Sequence, residues 1–209
     1  MNTLFKLPRQ PYILACSGGA DSMAALAFLR NGRHDFEAAH FHHGTVHARE
    51  ALEFVIKTCT SFKVPLHIGY ISSSKNKDES PEEYYRRERY GFLSSFNKKI
   101  ITAHHLDDCV ETWIFSSING KPKLISYVTP TCFRPFLTTT KEDMKKFAIA
   151  NKYSWVEDPS NKENYIPRNC IRNEIIPMIK KVNPGIQSMV RRMLENKFKK
   201  EEMKNEQTQ

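Results

Sequence analysis

The chain has 209 residues, of which 40% are hydrophobic, and carries a formal net charge of +9. This composition predicts one domain with a small appendage, and the positive charge favours a polyanionic partner such as nucleic acid, unless it only reflects a basic proteome. The five cysteines include no C-x-x-C pair, so we expect no disulfide framework. The chain has no signal-peptide core and no apolar run near the roughly 20 residues of a membrane span, so we expect a soluble, cytoplasmic protein.

The first predicted strand ends in a loop of small residues. The apolar run Tyr12 to Cys16 leads into Ser17-Gly18-Gly19-Ala20-Asp21-Ser22, followed by an alanine- and leucine-rich helix. This arrangement aims backbone N–H groups and a positive helix end at a phosphate, although an ordinary strand-to-helix turn is the alternative. A carboxylate among phosphates suggests a Mg²⁺ ligand, which would be Asp21. The predicted nucleotide site comprises Ala15, Ser17, Gly18, Gly19, Asp21, Ser22 and, on the next strand, His40.

The following segments alternate between strand and helix. Residues 36–43 predict a strand, the apolar spacing from His47 predicts a helix, and residues 64–71 alternate as a strand. The polar, lysine-rich residues 72–80 are expected to become ordered only with ligand. A capping box formed by Ser80 and Glu83, with Pro81 at the first position, predicts the start of the next helix.

The rest of the chain continues this alternation and then becomes helical. A strand over 99–105 and a helix over 106–118 complete a predicted α/β fold with a doubly wound parallel sheet, whose ligands bind at the carboxyl ends of the strands. Extended pieces are expected at 125–128, and helices at 141–150, 167–182 and from 186 to about 199. We divide the chain into a catalytic domain (1–135), a helical extension that completes the active site and contacts RNA (136–200) and a flexible tail (201–209).

A second group of chemical side chains lies at residues 104–112. His104, Asp108 and Glu111 are spaced i, i+4, i+7 and share one helix face if the helix begins early enough, while Asp107 is expected to cap the helix. Two alternatives remain open. The carboxylates could merely complement the helix dipole, or a histidine and carboxylates could bind zinc, although no third ligand has a recognisable spacing.

Several segments resemble one enzyme family. Residues 17–22 resemble the SGGxDS loop of the ATP-pyrophosphatase (PP-loop) family, and residues 104–112 resemble the HHxDDxxET segment of its tRNA(Ile)-lysidine synthetase branch. The thiolating relatives use cysteine pairs that this chain lacks. Over roughly residues 11–190, further matches are Glu82, Arg86, Arg89 and Tyr90; Arg134-Pro135-Phe136-Leu137; and the run of Asp158 to Asn161, Tyr165, Arg168-Asn169, Ile171-Arg172, Pro177 and Asn183-Pro184.

The resemblance implies a two-step ligation. ATP adenylates the C2 oxygen of the wobble cytidine in a CAU-anticodon isoleucine tRNA, and free lysine then displaces AMP. Asp108 and Glu111 would hold lysine, and His104 would accept a proton. The implied cofactors are ATP and Mg²⁺; the implied catalytic residues are Asp21, His104, Asp108, Glu111 and Arg168; and the implied tRNA contacts are Arg86, Arg89, Arg168 and Arg172. For Arg168 and Arg172, two guanidinium groups on one helix face suit phosphate, but a purely structural role is the alternative.

The chain also departs from the family pattern. Thr45-Val46 replace the usual leucine-arginine, and residues 119–123 are shorter and more basic than the usual glycine-rich loop. The further carboxy-terminal region typical of the family is not present in these 209 residues, so a homodimer is one way to provide the tRNA surface. Two other functions stay open: modification of a tRNA base with another amine or a sulfur carrier, and a non-catalytic nucleotide- or tRNA-binding module.

Overall fold

The computed structural model describes residues 1, 3, 5–157 and 167–206, which form five strands and eight α-helices. The strands are β1 (Tyr12–Ala15), β2 (Phe36–His42), β3 (Leu66–Tyr70), β4 (Lys99–Ile101) and β5 (Cys132–Phe133). The helices are α1 (Ala20–Asn31), α2 (Val46–Phe62), α3 (Pro81–Ser94), α4 (Leu106–Ile118), α5 (Lys141–Ala150), α6 (Pro167–Cys170), α7 (Ile176–Val182) and α8 (Ile186–Glu206), and a π-helical turn, Ile171–Ile175, joins α6 to α7.

The five strands form one parallel sheet in the order β3-β2-β1-β4-β5. The chain moves outward from β1 through β2 to β3 and then returns to place β4 on the other side of β1. This reversal separates the loops that follow β1 and β4, and ligands of such sheets bind in the crevice between them. The predicted α/β class with a doubly wound parallel sheet is confirmed.

Two apolar clusters hold the sheet and its helices together. The main cluster joins β1 to Met23, Leu26 and Leu29 of α1, and Met144 of α5 packs into it. A second cluster packs α4 against α8. Both helices that begin at the crevice, α1 and α4, are therefore fixed along their length by buried side chains. Among the described residues, no helix is long and apolar enough to cross a membrane.

Several predicted elements differ from the structure. The strand predicted over 99–105 ends at Ile101, because the following residues lead into the cap of α4. The helix predicted over 167–182 is divided by the π-helical turn Ile171–Ile175. Residues 125–128 do not form a strand of the sheet. Instead Val128 makes an isolated antiparallel bridge to Phe133, and the Arg134 N–H donates to the Tyr127 carbonyl at 2.8 Å, because the chain turns back at 129–132 to form β5. The last helix continues past the predicted Lys199 to Glu206.

The prediction that residues 72–80 are ordered only with ligand is wrong, because the chain itself orders this loop. Glu88 on α3 accepts hydrogen bonds from the backbone N–H groups of Ser72 and Ser73 at 2.8 and 3.0 Å. Arg87 binds Glu79 at 2.9 Å and Glu88 at 2.6 Å. The hydroxyls of Ser73 and Ser72 also donate to Glu88, and together with the two backbone N–H groups they lower the pKa of Glu88 to about 2. The carboxylate therefore stays ionised and fastens the loop to α3. The predicted capping box of Ser80 and Glu83 is confirmed.

Candidate active site

The loop after β1 has the geometry of an anion cradle. Gly18 has φ +87°, a conformation that L side chains rarely adopt. The Ser22 hydroxyl accepts from the Gly18 N–H at 3.1 Å and donates to the Gly19 carbonyl at 2.9 Å. The Ser17 hydroxyl lies 3.3 Å from the Ser22 hydroxyl. Gly19 is the cap residue of α1, and no side chain caps the N–H groups of the first turn, which leaves them to a ligand.

Asp21 lies in the first turn of α1 and faces the loop that follows β4. Its Oδ2 is 3.5 Å from Nε2 of His105, whereas its buried Oδ1 has no hydrogen-bond partner among the described residues. Burial by itself would raise the pKa of Asp21, but His105, Lys141 and Arg172 outweigh burial and lower it. An ionised carboxylate with one unsatisfied oxygen suits a cation.

His105 caps α4, a role that the sequence interpretation did not assign to it. Its Nδ1 accepts from the Asp108 N–H at 3.4 Å, and the Asp108 carboxylate accepts from the His105 N–H at 2.9 Å. The helix begins at Leu106, so His104 lies outside it and does not share a helix face with Asp108 and Glu111 as expected. Because histidine is not among the residues preferred at this position, cap statistics give no signal for His105.

The sequence predicted that Asp107 caps α4, but in the structure its side chain binds two neighbouring helices. Its Oδ2 accepts from the Lys141 N–H at the start of α5, and its Oδ1 accepts from the Gln187 amide of α8, each at 2.8 Å. Both oxygens are therefore engaged in fixing α5 and α8 to α4.

Glu111 is buried and bound by Arg172 from the π-helical turn. The guanidinium Nε and Nη2 donate to the two carboxylate oxygens at 2.6 and 2.9 Å, and Nη2 lies 3.8 Å from Asp108 Oδ1. Burial raises the pKa of Glu111 even though Arg172 opposes this. Asp108 is half-buried, so of the two predicted lysine ligands it is the more accessible carboxylate.

His104 lies in the segment before α4 instead of on the acidic helix face. Its Nδ1 is 2.8 Å from the Thr102 hydroxyl. Burial lowers the pKa of His104 to about 4, and Arg134 and Arg89 act in the same direction while Asp108 opposes it. The imidazole is therefore neutral near pH 7, and an imidazole with so low a pKa is a weak base.

His40 and Ala15 lie on the two strands next to the loop. His40 is buried, and its Nδ1 donates to the Cys16 carbonyl at 2.9 Å, which fixes the ring against the end of β1. Its Nε2 has no partner among the described residues, and burial lowers its pKa. The histidine thus holds the strand end that precedes the loop, and Ala15 is half-buried in that strand.

The predicted tRNA-contacting arginines are on α3 and α6 and on the π-helical turn. The guanidinium groups of Arg86 and Arg89 lie 4.8 and 5.6 Å from the Tyr90 ring centre. Arg168 reaches Glu82 of α3 at 3.7 Å, whereas Arg172 binds Glu111 of α4. The expected pair of guanidinium groups on one face is therefore not formed. The predicted motif residues Asp158 to Asn161 and Tyr165 lie outside the described residues.

The described residues contain no group of three or more His, Cys, Asp or Glu side chains that could hold a metal ion. What the structure does bring together are the loop after β1 and the acidic start of α4, which meet through the contact of Asp21 with His105.

A parallel sheet with a glycine-containing anion cradle at its switch point defines a nucleotide-binding protein of the α/β class. The chain belongs to the PP-loop domain family, whose model matches residues 1–179. This confirms the family resemblance expected from residues 17–22.

Curated relatives place the resemblance in one branch of that family. A tRNA(Ile)-lysidine synthase from Actinobacillus pleuropneumoniae serotype 3 (strain JL03) is 29% identical over 178 residues, which are 80% of this chain and 42% of the relative. A tRNA(Ile)-lysidine synthase from Porphyromonas gingivalis (strain ATCC BAA-308 / W83) is 30% identical over 208 residues, which are 92% of this chain and 46% of the relative. The chain therefore spans less than half the length of these relatives.

A solved structure supports the fold. NMN synthetase from Francisella tularensis superimposes with a TM-score of 0.55 at 11% sequence identity, and the match covers 91% of this chain and 85% of that one. At this identity the likeness concerns the fold alone.

Proposed function

We propose that this chain is the catalytic part of an ATP-dependent ligase that joins lysine to C2 of the wobble cytidine in a CAU-anticodon isoleucine tRNA. The observation that carries the proposal is the meeting of two chemically different groups at one crevice, an anion cradle after β1 and a carboxylate pair at the start of α4. A ligation that couples a nucleotide to an amine needs both groups side by side.

The loop after β1 suits the phosphates of ATP. Gly18 and Gly19 let the backbone approach closely. The hydroxyls of Ser17 and Ser22 now bond within the loop and would donate to phosphate in place of those bonds. The unsatisfied Oδ1 of Asp21 is the group that fits Mg²⁺. When bound, Mg²⁺ would share the phosphate charge and stabilise the pyrophosphate that leaves.

For the amino acid, Asp108 is the carboxylate that we assign to an ammonium group of lysine. Glu111 is already neutralised by Arg172, so it would act by holding Arg172 in place. Nε and Nη2 of Arg172 are engaged with Glu111, and Nη1 is the donor that we assign to the α-carboxylate of lysine. One salt-bridged network would thus recognise both charged ends of a free amino acid.

The tRNA would approach the arginine-rich side of the crevice. Arg86 and Arg89 lie on α3, which also carries Glu82, the partner of Arg168. The net charge of +9 favours a polyanion. We assign residues 1–135 to the catalytic domain, residues 136–200 to an extension that completes the site and contacts tRNA, and residues 201–209 to a tail. A second copy of the chain would enlarge the RNA surface.

The chemistry would run in two displacements. The C2 oxygen of the cytidine attacks the α-phosphorus of ATP, and the bond to pyrophosphate breaks. The ε-amine of lysine then attacks C2, the bond from C2 to the adenylate oxygen breaks, AMP leaves, and the amine loses a proton. Attack requires a neutral ε-amine, so the carboxylate of Asp108 would hold the α-ammonium instead. The low pKa of His104 suits it better to contacting the cytidine than to accepting the proton of the amine.

The test is lysine transfer by the purified chain. The protein is incubated with ATP, Mg²⁺, radiolabelled lysine and a CAU-anticodon tRNA transcript, alongside a transcript whose wobble cytidine is replaced by uridine. We expect label in the first RNA only. Label in neither RNA, with ATP binding verified by calorimetry, would reject lysine ligation. Incorporation of another amine or of sulfur would identify a different base modification.

A further inference from the structure

His105 has a second polar edge that helix capping does not use. Capping needs only one acceptor, here Nδ1, which receives the Asp108 N–H at 3.4 Å, and serine, threonine, aspartate or asparagine would serve equally well. Because Nδ1 accepts from the Asp108 N–H, a ring proton lies on Nε2. None of the usual capping residues reaches as far as this nitrogen.

The Nε2 edge faces carboxylates from two different helices. It lies 3.5 Å from Asp21 Oδ2 at the start of α1 and 3.6 Å from Asp108 Oδ2 at the start of α4. Two carboxylates this close to one point repel each other unless a donor or cation lies between them. His105 is 1% exposed, so water does not readily take its place.

The ring is also held rigidly. The backbone N–H of His105 donates to the Asp108 carboxylate at 2.9 Å, and Nδ1 of the ring accepts from the Asp108 N–H. Asp107, whose Oδ2 lies 3.7 Å from Nδ1, is fixed by α5 and α8. The imidazole therefore has a set position relative to four helices. A donor fixed in this way can define the distance between the two carboxylates that it faces.

We propose that His105 is a positioning residue whose Nε2 edge bridges Asp21 and Asp108 and so sets the placement of the nucleotide relative to the incoming amine. This role rests on the proposed lysine ligation. It adds a residue that touches neither substrate, since the ring is enclosed between the two carboxylates. A misplacement of about 1 Å between reacting groups can cost on the order of 100-fold in rate.

Two variants of His105 separate bridging from capping. His105→Asn keeps an acceptor at the cap and loses the bridge, whereas His105→Gln weakens the cap and keeps a donor near the Nε2 position. The measurements on the full chain are thermal unfolding, ATP and lysine binding by calorimetry, pyrophosphate release with tRNA, and lysine transfer at varied lysine concentration.

If His105 bridges, His105→Asn folds and binds ATP within about threefold of wild type, but lysine transfer falls on the order of 100-fold and KM for lysine rises about tenfold. His105→Gln unfolds at a lower temperature yet keeps transfer within about tenfold of wild type. The effects of His105→Asn and Asp21→Asn are then non-additive, because both break the same bridge.

The role is overturned if His105→Asn transfers lysine within about twofold of wild type, or if both variants lose the same 100-fold. If His105→Asn does not fold, His105→Gln decides alone, and a loss on the order of 100-fold in that variant overturns the bridge. If the wild-type chain binds ATP but transfers no lysine, the proposed function itself is rejected. If the wild type transfers lysine and His105→Asn transfers it equally well, only the bridging role of His105 is rejected.

Discussion

Arg172 binds Glu111 through two hydrogen bonds of 2.6 and 2.9 Å, and this pair connects the π-helical turn to α4. The Glu111 side chain is 5% exposed and that of Arg172 is 29% exposed, so the carboxylate depends on the guanidinium for its solvation. Insertions that form π-helical turns are frequent at functional sites. Here the turn Ile171–Ile175 carries Arg172.

Removing Arg172 should therefore destabilise the fold as well as the site. We expect Arg172→Met to lower the free energy of unfolding by about 3 kcal/mol, because it leaves a buried carboxylate unpaired. Adding Glu111→Gln should recover part of this loss. Urea unfolding measures both, and Arg192→Met, at an exposed position on α8, is the control expected within about 0.5 kcal/mol of wild type. Equal stabilities of the single and double variants would contradict this account of the pair.

Asp108→Asn should separate amino-acid use from nucleotide binding. The amide oxygen can still accept from the His105 N–H, so α4 keeps that half of its cap. The charge that we assign to the lysine ammonium is lost. We expect lysine transfer to fall at least ~100-fold while the ATP affinity measured by calorimetry changes little. Normal lysine incorporation by this variant would exclude the assigned role.

Gly18→Ala should damage the nucleotide loop. At φ +87° a Cβ would be strained, and it would lie 3.2 Å from Val55 Cγ2 and 3.3 Å from the Ala51 carbonyl. We expect a loss of about 1–3 kcal/mol in stability together with weaker ATP binding. Gly91→Ala is the matched control, since a Cβ there meets nothing within 4 Å inside α3 and should stabilise by about 0.5–1 kcal/mol. Thermal unfolding and calorimetry of both variants make the comparison.

His104 should make the protein acid-sensitive. Its pKa falls from 6.5 to about 4 on folding, so between these values the unfolded chain binds the proton and the folded chain does not. Stability is therefore complete above pH 6.5 and declines as the pH falls towards 4. Over two pH units the loss is about 2–3 kcal/mol. The free energy of unfolding, measured with urea between pH 7 and 4.5, should depend less on pH in His104→Gln than in wild type. An unchanged pH dependence would show that other groups cause it.

Glu88 should control the order of residues 72–80. Glu88→Gln removes the charge that accepts from Ser72 and Ser73, so trypsin should cleave at Lys75 or Lys77 several-fold faster than in wild type. Glu53→Gln, at an exposed position on α2, is the control. Because the pKa of Glu88 is lowered to about 2, its contribution is present above its ordinary pKa and is lost only as the pH falls towards 2. Wild-type cleavage rates in Glu88→Gln would mean that Arg87 alone holds the loop.

Local patterns predicted those features that depend on a few consecutive residues. The loop at 17–22, the capping box at Ser80 and the bounds of α4 all follow from side chains within one or two helical turns. The ordering of residues 72–80 was missed because the acceptor, Glu88, lies on the following helix, and a lysine-rich loop by itself resembles a disordered segment.

By itself the sequence determined the α/β class, the positions of the anion cradle and the acidic helix, and the family, because periodicity and motif spacing are local properties. Only the tertiary structure decided which carboxylate is accessible and which histidine joins the two groups. Glu111 is occupied by Arg172, 61 residues away in sequence, and His105 faces Asp21 because β4 returns to the side of β1. Contacts between distant segments arise from strand order and helix packing, and no spacing within one segment encodes them.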